Sequence, residues 1–279
     1  MHSSSAAFLW GDSVTSLGGH LARLFLRHGF PLTGLRHLPI VGPCLRWASA
    51  KIVPRQSLVW VQVQHGPAAG LWLRLNPRTG RNAFLGACEP EVQRALQKHL
   101  RPGMTVYDLG ANIGFFSLLA ARLVGHGGHV TAFEADPEIS ARLRGHITRN
   151  RLSWVAVEEK AVWSEPCTVL FARTDTAISP DRGLGHIVST AGANTISIDA
   201  VSLDNYSRTY PPPDFLKCDV EGAEVEVFRG AQRLLAKKRP IILCEMHCRE
   251  NHRILIEEFS GSGYVCELCD EHHVLALPK

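Results

Sequence analysis

The chain has 279 residues, 45% hydrophobic and 20% charged, with a formal net charge of +4. Such a composition excludes a disordered, collagen-like or coiled-coil chain and leaves room for a large buried core. The densest basic run, Lys237-Lys238-Arg239, reads as the solvated last turn of a helix, so no nucleic-acid partner is expected. Eight cysteines are too sparse for a secreted disulfide scaffold, and the opening MHSSSAAFLWGDS lacks a basic n-region. No apolar run reaches the roughly 18 residues of a membrane span. The expectation is a cytoplasmic protein with free thiols and no transmembrane segment.

Residues 1–56 read as an N-terminal appendage of short helices. Leu17, Leu21, Leu24 and Phe25 recur at helical spacing with Arg23 and Arg27 between them, before Gly29, Pro31, Gly34 and Pro39 break the chain. The appendage is either a packing cap or an Arg-bearing piece touching a membrane surface. Residues 57–103 read as a β-hairpin and a helix. Val59, Val61 and Val63 alternate on one strand, Leu71, Leu73 and Leu75 on the next, and Pro90 opens the helix. From Met104 to the end, strand and helix alternate, with strands expected at 104–109, 129–134, within 154–162, at 215–220, 240–246, 264–268 and 273–277. That order predicts an α/β domain over 104–279, a mostly parallel sheet with helices on both faces and an antiparallel C-terminal hairpin. An insertion interrupts it, with strands at 167–172 and 195–201 and a long loop over 173–194 that includes His186.

One strand ends in Asp108-Leu-Gly110-Ala111-Asn112-Ile-Gly114 and runs into a helix. The glycines allow a close backbone approach at the carboxyl end of a strand, where nucleotide-type cofactors bind. The spacing is G-x-x-x-G, not the dinucleotide G-x-G-x-x-G, and Asp108 would repel a pyrophosphate. S-adenosylmethionine has no phosphate, and its cationic groups suit an acid beside the turn. Backbone N–H groups at the helix start suit its carboxylate. Glu134, at the end of the next strand, is placed to accept ribose hydroxyls, in NAD as well as in S-adenosylmethionine.

The second signal is Lys217-Cys218-Asp219-Val220-Glu221-Gly222-Ala223-Glu224. If the strand runs to 221, period-2 geometry sets Lys217, Asp219 and Glu221 on one face at its carboxyl end. Three such charges are costly unless they are paired or functional, a structural Lys217–Asp219 pair being the plainer alternative.

VYDLGANIGFFSLLAA, VTAFEADP, FLKCDVEGAEVEVFRGA and PIILCEMH, in that order, resemble the FkbM family of S-adenosylmethionine-dependent methyltransferases over roughly residues 84–270. The resemblance implies a class I Rossmann-like methyltransferase fold with a seven-stranded sheet and a terminal antiparallel hairpin. It implies S-adenosylmethionine as donor and an oxygen acceptor on a sugar or natural product. By the same resemblance the methionine end lies over Asp108, Gly110, Ala111, Asn112 and Gly114. The ribose meets Glu134, and the adenine packs near Ala135, Asp136, Lys160, Ala161 and Val162.

For in-line methyl transfer, Asp219 and Glu221 are the first candidates for base or acceptor clamp, and Lys217 orients Asp219 or steadies a developing alkoxide. His247 is a further base candidate because an unperturbed imidazole titrates near neutrality. Two metal-based variants are less favoured: Mg²⁺ held by Asp219 and Glu245, and zinc held among Cys244, His247, Cys248, Cys266 and Cys269. A nicotinamide oxidoreductase of the short-chain type would need Tyr-x-x-x-Lys, which no tyrosine here supplies. A non-catalytic cofactor-binding module is the third class. Neither the acceptor nor the oligomeric state is written in these motifs.

Overall fold

The computed structural model describes residues 58–76, 79–174 and 185–279. The expected appendage at 1–56 lies outside those residues. In chain order, β1 (Val59–Gln62) and β2 (Trp72–Leu75) are followed by helices α1 (Arg81–Leu85) and α2 (Pro90–His99). Next come β3 (Thr105–Leu109), α3 (Phe115–Val124), β4 (His129–Phe133), α4 (Pro137–Asn150) and β5 (Val155–Glu158). The insertion holds β6 (Ala161–Val162), β7 (Cys167–Ala172), β8 (His186–Val188), β9 (Thr195–Val201) and the short α5 (Leu203–Tyr206). The chain closes with β10 (Phe215–Cys218), α6 (Glu224–Arg229), α7 (Gln232–Lys237), β11 (Ile241–Glu245), α8 (Arg249–Gly261), β12 (Tyr264–Leu268) and β13 (His273–Pro278).

Seven strands form the main sheet in the order β12-β13-β11-β10-β3-β4-β5. The five from β11 to β5 are parallel, and β13 and β12 add an antiparallel edge. The central strands are buried on both faces, and their alternate residues feed two cores. Val106 and Phe215 join the cluster with α3, α4 and the β1–β2 hairpin, while Tyr107, Leu109, Leu216 and Cys218 join the cluster with α6, α7 and α8. Residues 58–103 therefore share a core with the sheet. Because the chain leaves β3 for β4 on one side and returns to β10 on the other, the order reverses at β3/β10. Ligands of open α/β sheets bind at that point, outside the carboxyl ends.

Helix α4 begins where its sequence says it should. Asp136 caps it by accepting from the Glu138 N–H at 2.8 Å, and Pro137 supplies a first residue with no N–H to satisfy. Helix α4 also carries His146, fully buried, whose Nδ1–H donates to the Ile113 carbonyl at 2.8 Å while Nε2 accepts from the Arg74 N–H at 2.9 Å. Burial lowers its pKa from 6.5 to about 4. The folded state thus binds fewer protons than the unfolded one between those values, and stability is lost as pH falls through that window. The expected loss is roughly 3 kcal/mol. Urea unfolding at pH 7 and pH 5 tests this, and about 2 kcal/mol of the loss should appear over that interval. A wild type that loses no more stability than His146→Gln over that interval would refute the account.

Two elements differ from the sequence expectation. The stretch 154–162 is two strands: β5 stays in the main sheet, and β6 leaves it to pair with β9 in a separate four-stranded sheet, β6-β9-β7-β8. Within the expected loop, β8 pairs with β7 through Leu170↔Val188 and Ala172↔His186. Arg173, just past β7, pins this second sheet to the first by donating to both Asp136 carboxylate oxygens at 2.8 and 2.9 Å. Among the described residues no helix is long and apolar enough to cross a membrane.

Candidate active site

A cleft opens over the carboxyl ends of β3, β4 and β10, at the switch point. Gly110, Asn112, Glu134, Asp219 and Glu221 line it, together with Ala135, Lys160 and Ala161 on the β4–β6 side. Phe171 and Ile187 of the inserted sheet add an apolar wall. Glu134 is buried; one carboxylate oxygen accepts the Asn112 N–H and the other the Asp136 N–H, both at 2.8 Å. Burial pushes its pKa up to about 7, against the opposing pull of those two N–H groups. Each oxygen retains a lone pair for a further donor.

The glycines serve a purpose that the sequence argument did not give them. A Cβ on Gly110 would stand 1.7 Å from the Asp219 carbonyl oxygen, and one on Gly114 would stand 2.1 Å from Leu143. Both have positive φ, 72° and 88°. On the side where a Cβ would stand the space is filled by protein, while the backbone of Gly110 still lines the cleft. Asn112 shares this left-handed conformation at φ 51°, which asparagine tolerates better than most residues.

Asp108 likewise has protein partners where a ligand cation was expected. It is buried, accepts from the Ser117 hydroxyl, and stands 3.5 Å from Lys217 Nζ. Neither Asp108 nor Ala111 nor Gly114 is on the cleft lining. The parallel register sets Lys217 directly opposite Asp108. Lys217 Nζ lies 3.2 Å from Asp219 Oδ2 and over the Phe116 ring at 5.2 Å. Burial works against its charge, but Asp219 and Asp108 outweigh that and raise its pKa.

Strand β10 stops at Cys218, short of the expected 220 and of the 221 that a shared face for all three charges requires. Glu221 leaves it at φ 52°, so period-2 geometry does not carry this residue. It reaches the cluster from the loop instead. His247 Nε2, just past β11, lies 3.3 Å from Glu221, 3.7 Å from Asp219 and 4.0 Å from Glu245. Its Nδ1 pairs with Glu224 at 2.7 Å. Glu224 is fully buried and also accepts from the Gly222 N–H at 2.8 Å and the Asn251 amide at 2.6 Å. That hydrogen bond with Glu224, helped by the neighbouring acids, raises His247 to about 9. The ring is therefore charged at neutral pH, unlike the neutral base expected from an ordinary imidazole. Burial raises the pKa of Glu221. Sequence reasoning quoted Glu224 only as the last residue of the Lys217–Glu224 motif and gave neither it nor Asn251 a role.

Asp219, Glu245 and His247 offer ligand atoms within 4.8 Å of one another, as do Glu89, Glu245 and His273. No cysteine takes part in a potential metal group among the described residues, and seven cysteines are free. The less favoured zinc variant gains no support from these cysteines, because Cys244 points into the β11 core and is fully buried, while Cys248 is an exposed helix cap.

The strand order, with its reversed terminal hairpin and switch-point cleft, is that of the Rossmann-like methyltransferase fold. A family model described as the methyltransferase FkbM domain matches residues 108–266, more than half of the chain. The chain belongs to the FkbM methyltransferase family. It is 28% identical over 161 residues to hexuronic acid methyltransferase AglP of Haloferax volcanii, covering 57% of this chain and 62% of that protein. A shorter match, 37% identical over 71 residues, is to an arsenite methyltransferase of Halobacterium salinarum and covers 25% of this chain and 17% of that protein. The chain thus spans less than two thirds of these relatives. The crystal structure of methyltransferase FkbM from Methylobacillus flagellatus has a TM-score of 0.47 at 17% identity, covering 72% of this chain and 54% of that one.

Proposed function

We propose that the chain binds S-adenosylmethionine in the switch-point cleft and transfers its methyl group to a hydroxyl oxygen of a sugar, glycan or natural product. The observation that carries this reading is the pairing of Glu134 on one side of the cleft with Asp219 and Glu221 on the other. The donor set suits the cofactor: a buried carboxylate with spare lone pairs for ribose, and Phe171 and Ile187 to cover a flat base. Similarity to a hexuronic acid methyltransferase supports a glycan acceptor.

When bound, the cofactor supplies a methyl group on a sulfonium, already a good leaving group. The protein then has to position the acceptor and receive its proton. Glu221 is the better base, because burial raises its pKa while the protonated His247 beside it holds no free lone pair for the task. Asp219, paired with Lys217, is suited to clamp the acceptor hydroxyl. Lys217, Glu224 and Asn251 act as positioning residues. No step requires Mg²⁺, and no nucleic acid or membrane partner is invoked.

Calorimetric titration with S-adenosylhomocysteine, and with NAD in parallel, tests the reading. Saturable binding of the former alone is expected. Glu134→Gln should weaken it by roughly tenfold or more, the worth of one or two hydrogen bonds to a charged acceptor. Binding of NAD alone would restore the oxidoreductase alternative. Binding of neither would favour a degenerate pocket or one that forms only with the acceptor bound.

A further inference from the structure

A second group of ligating side chains lies behind the acid cluster, outside the cleft lining. Glu89 immediately precedes α2, Glu245 ends β11, and His273 opens β13. The antiparallel register sets Glu245 and His273 directly opposite each other. His273 is only 5% exposed. Its Nδ1 lies 2.9 Å from both oxygens of Asp270, and Asp270 is itself fixed by the N–H groups of His272 and His273 at 2.8 Å each. A carboxylate on Nδ1 draws the ring hydrogen to that side and turns Nε2 toward the cluster.

Nε2 has no hydrogen-bond partner. Its polar neighbours are Glu89 Oε2 at 3.5 Å and Glu245 Oε2 at 3.6 Å. Those separations are long for hydrogen bonds. They match a shared ion: ligand atoms ~2.0–2.1 Å from a tetrahedral zinc stand roughly 3.4 Å apart. Glu89 holds φ at 34°, a conformation that costs a non-glycine residue and that aims its carboxylate at this point. The two acids converge on the same buried nitrogen and repel each other; without a metal the charge between them is a proton on the imidazole, and a divalent ion would take that proton's place with twice the charge.

We propose that Glu89, Glu245 and His273 bind a divalent transition-metal ion of the Zn²⁺ class, with Asp270 orienting the imidazole. The imidazole ligand disfavours Mg²⁺ and Ca²⁺, which take oxygen sets. A carboxylate behind a ligating histidine is the usual second support of such sites. Three protein ligands leave one position open, as in zinc sites that handle water or substrate. The ion would lie one carboxylate away from the acid cluster, since the other Glu245 oxygen is 4.0 Å from His247. This site is distinct from the Asp219–Glu245 pair considered for Mg²⁺, and it stands whether or not the methyl-transfer reading holds.

The test is titration of the metal-free, full-length protein with Zn²⁺, and with Co²⁺ as a spectroscopic probe. Wild type should take up one equivalent of Co²⁺ with tetrahedral d–d bands and no thiolate charge-transfer band. Glu89→Gln and His273→Gln should each weaken that equivalent by more than ~10-fold, since even the orienting partner of a ligating histidine commands 10- to 100-fold. Asp219→Asn should retain it. Because the Glu89 side chain is 41% exposed, Glu89→Gln carries the test even if His273→Gln fails to fold. Absence of saturable uptake, a thiolate band, or uptake lost in Asp219→Asn but kept in Glu89→Gln would each overturn the proposal.

Discussion

Glu221→Gln lowers methyl-transfer turnover by ~10²–10⁴-fold, the usual worth of a positioned general base. Cofactor affinity changes by less than about threefold, because the lost group acts on the acceptor proton and not on ground-state cofactor binding. The substitution keeps the size of the side chain and removes only its basicity. The assay is transfer of a labelled methyl group to uronate-bearing glycans. The pH profile separates Glu221 from its rival. With His247 at about 9, a histidine base would give a rate that climbs roughly tenfold per pH unit through pH 7 and 8. A base at Glu221, whose pKa is raised from a carboxylate's ordinary value, gives a plateau there and a decline on the acid side. A climbing profile, with Glu221→Gln near wild-type rate, would transfer the role to His247.

Lys217→Met destabilises the fold by about 3–5 kcal/mol, the cost of breaking a buried pair by removing one partner. The side chain is 4% exposed and stands between Asp108 and Asp219. Without it Asp108, itself 2% exposed, keeps only the Ser117 hydroxyl. Melting should fall by roughly 10 °C for a domain of this size. Adding Asp108→Asn to Lys217→Met should recover part of the loss, since the double variant no longer buries an unpaired charge, and the double-mutant cycle reads that coupling directly. A single variant within about 1 kcal/mol of wild type, with no coupling to Asp108, would show that the pair does not hold the strands as argued.

The main sheet was legible because apolar runs between breakers carry the strand signal, and Asp136-Pro137 marks a helix start without reference to anything distant. The missed pieces depend on distant partners. β8 is three residues long and exists through its pairing with β7. β6 is two residues long, and its sheet is decided by β9. The end of β10 is set when the Asp219 N–H donates to the Leu109 carbonyl at 3.0 Å, and no local residue encodes that contact. The acids themselves stood out as charges in an apolar context. Their protonation did not: the charge on His247 comes from Glu224, brought from another crossover. Asp108 drew attention as an acid beside the glycine turn, but its counter-charge is set by strand register with Lys217, which the sequence does not write.

The contact between Gly110 and the Asp219 carbonyl has a mechanical consequence. Two loops that leave different strands touch with only a hydrogen atom between them. Neither can slide toward the other, and each amide is also tied down: Gly110 to Phe133, Asp219 to Leu109. They behave as one rigid bracket. The turn beside the proposed donor and the loop bearing the proposed acceptor clamp thus share a single frame of reference, and the alignment that in-line transfer demands is kept by a missing methyl group.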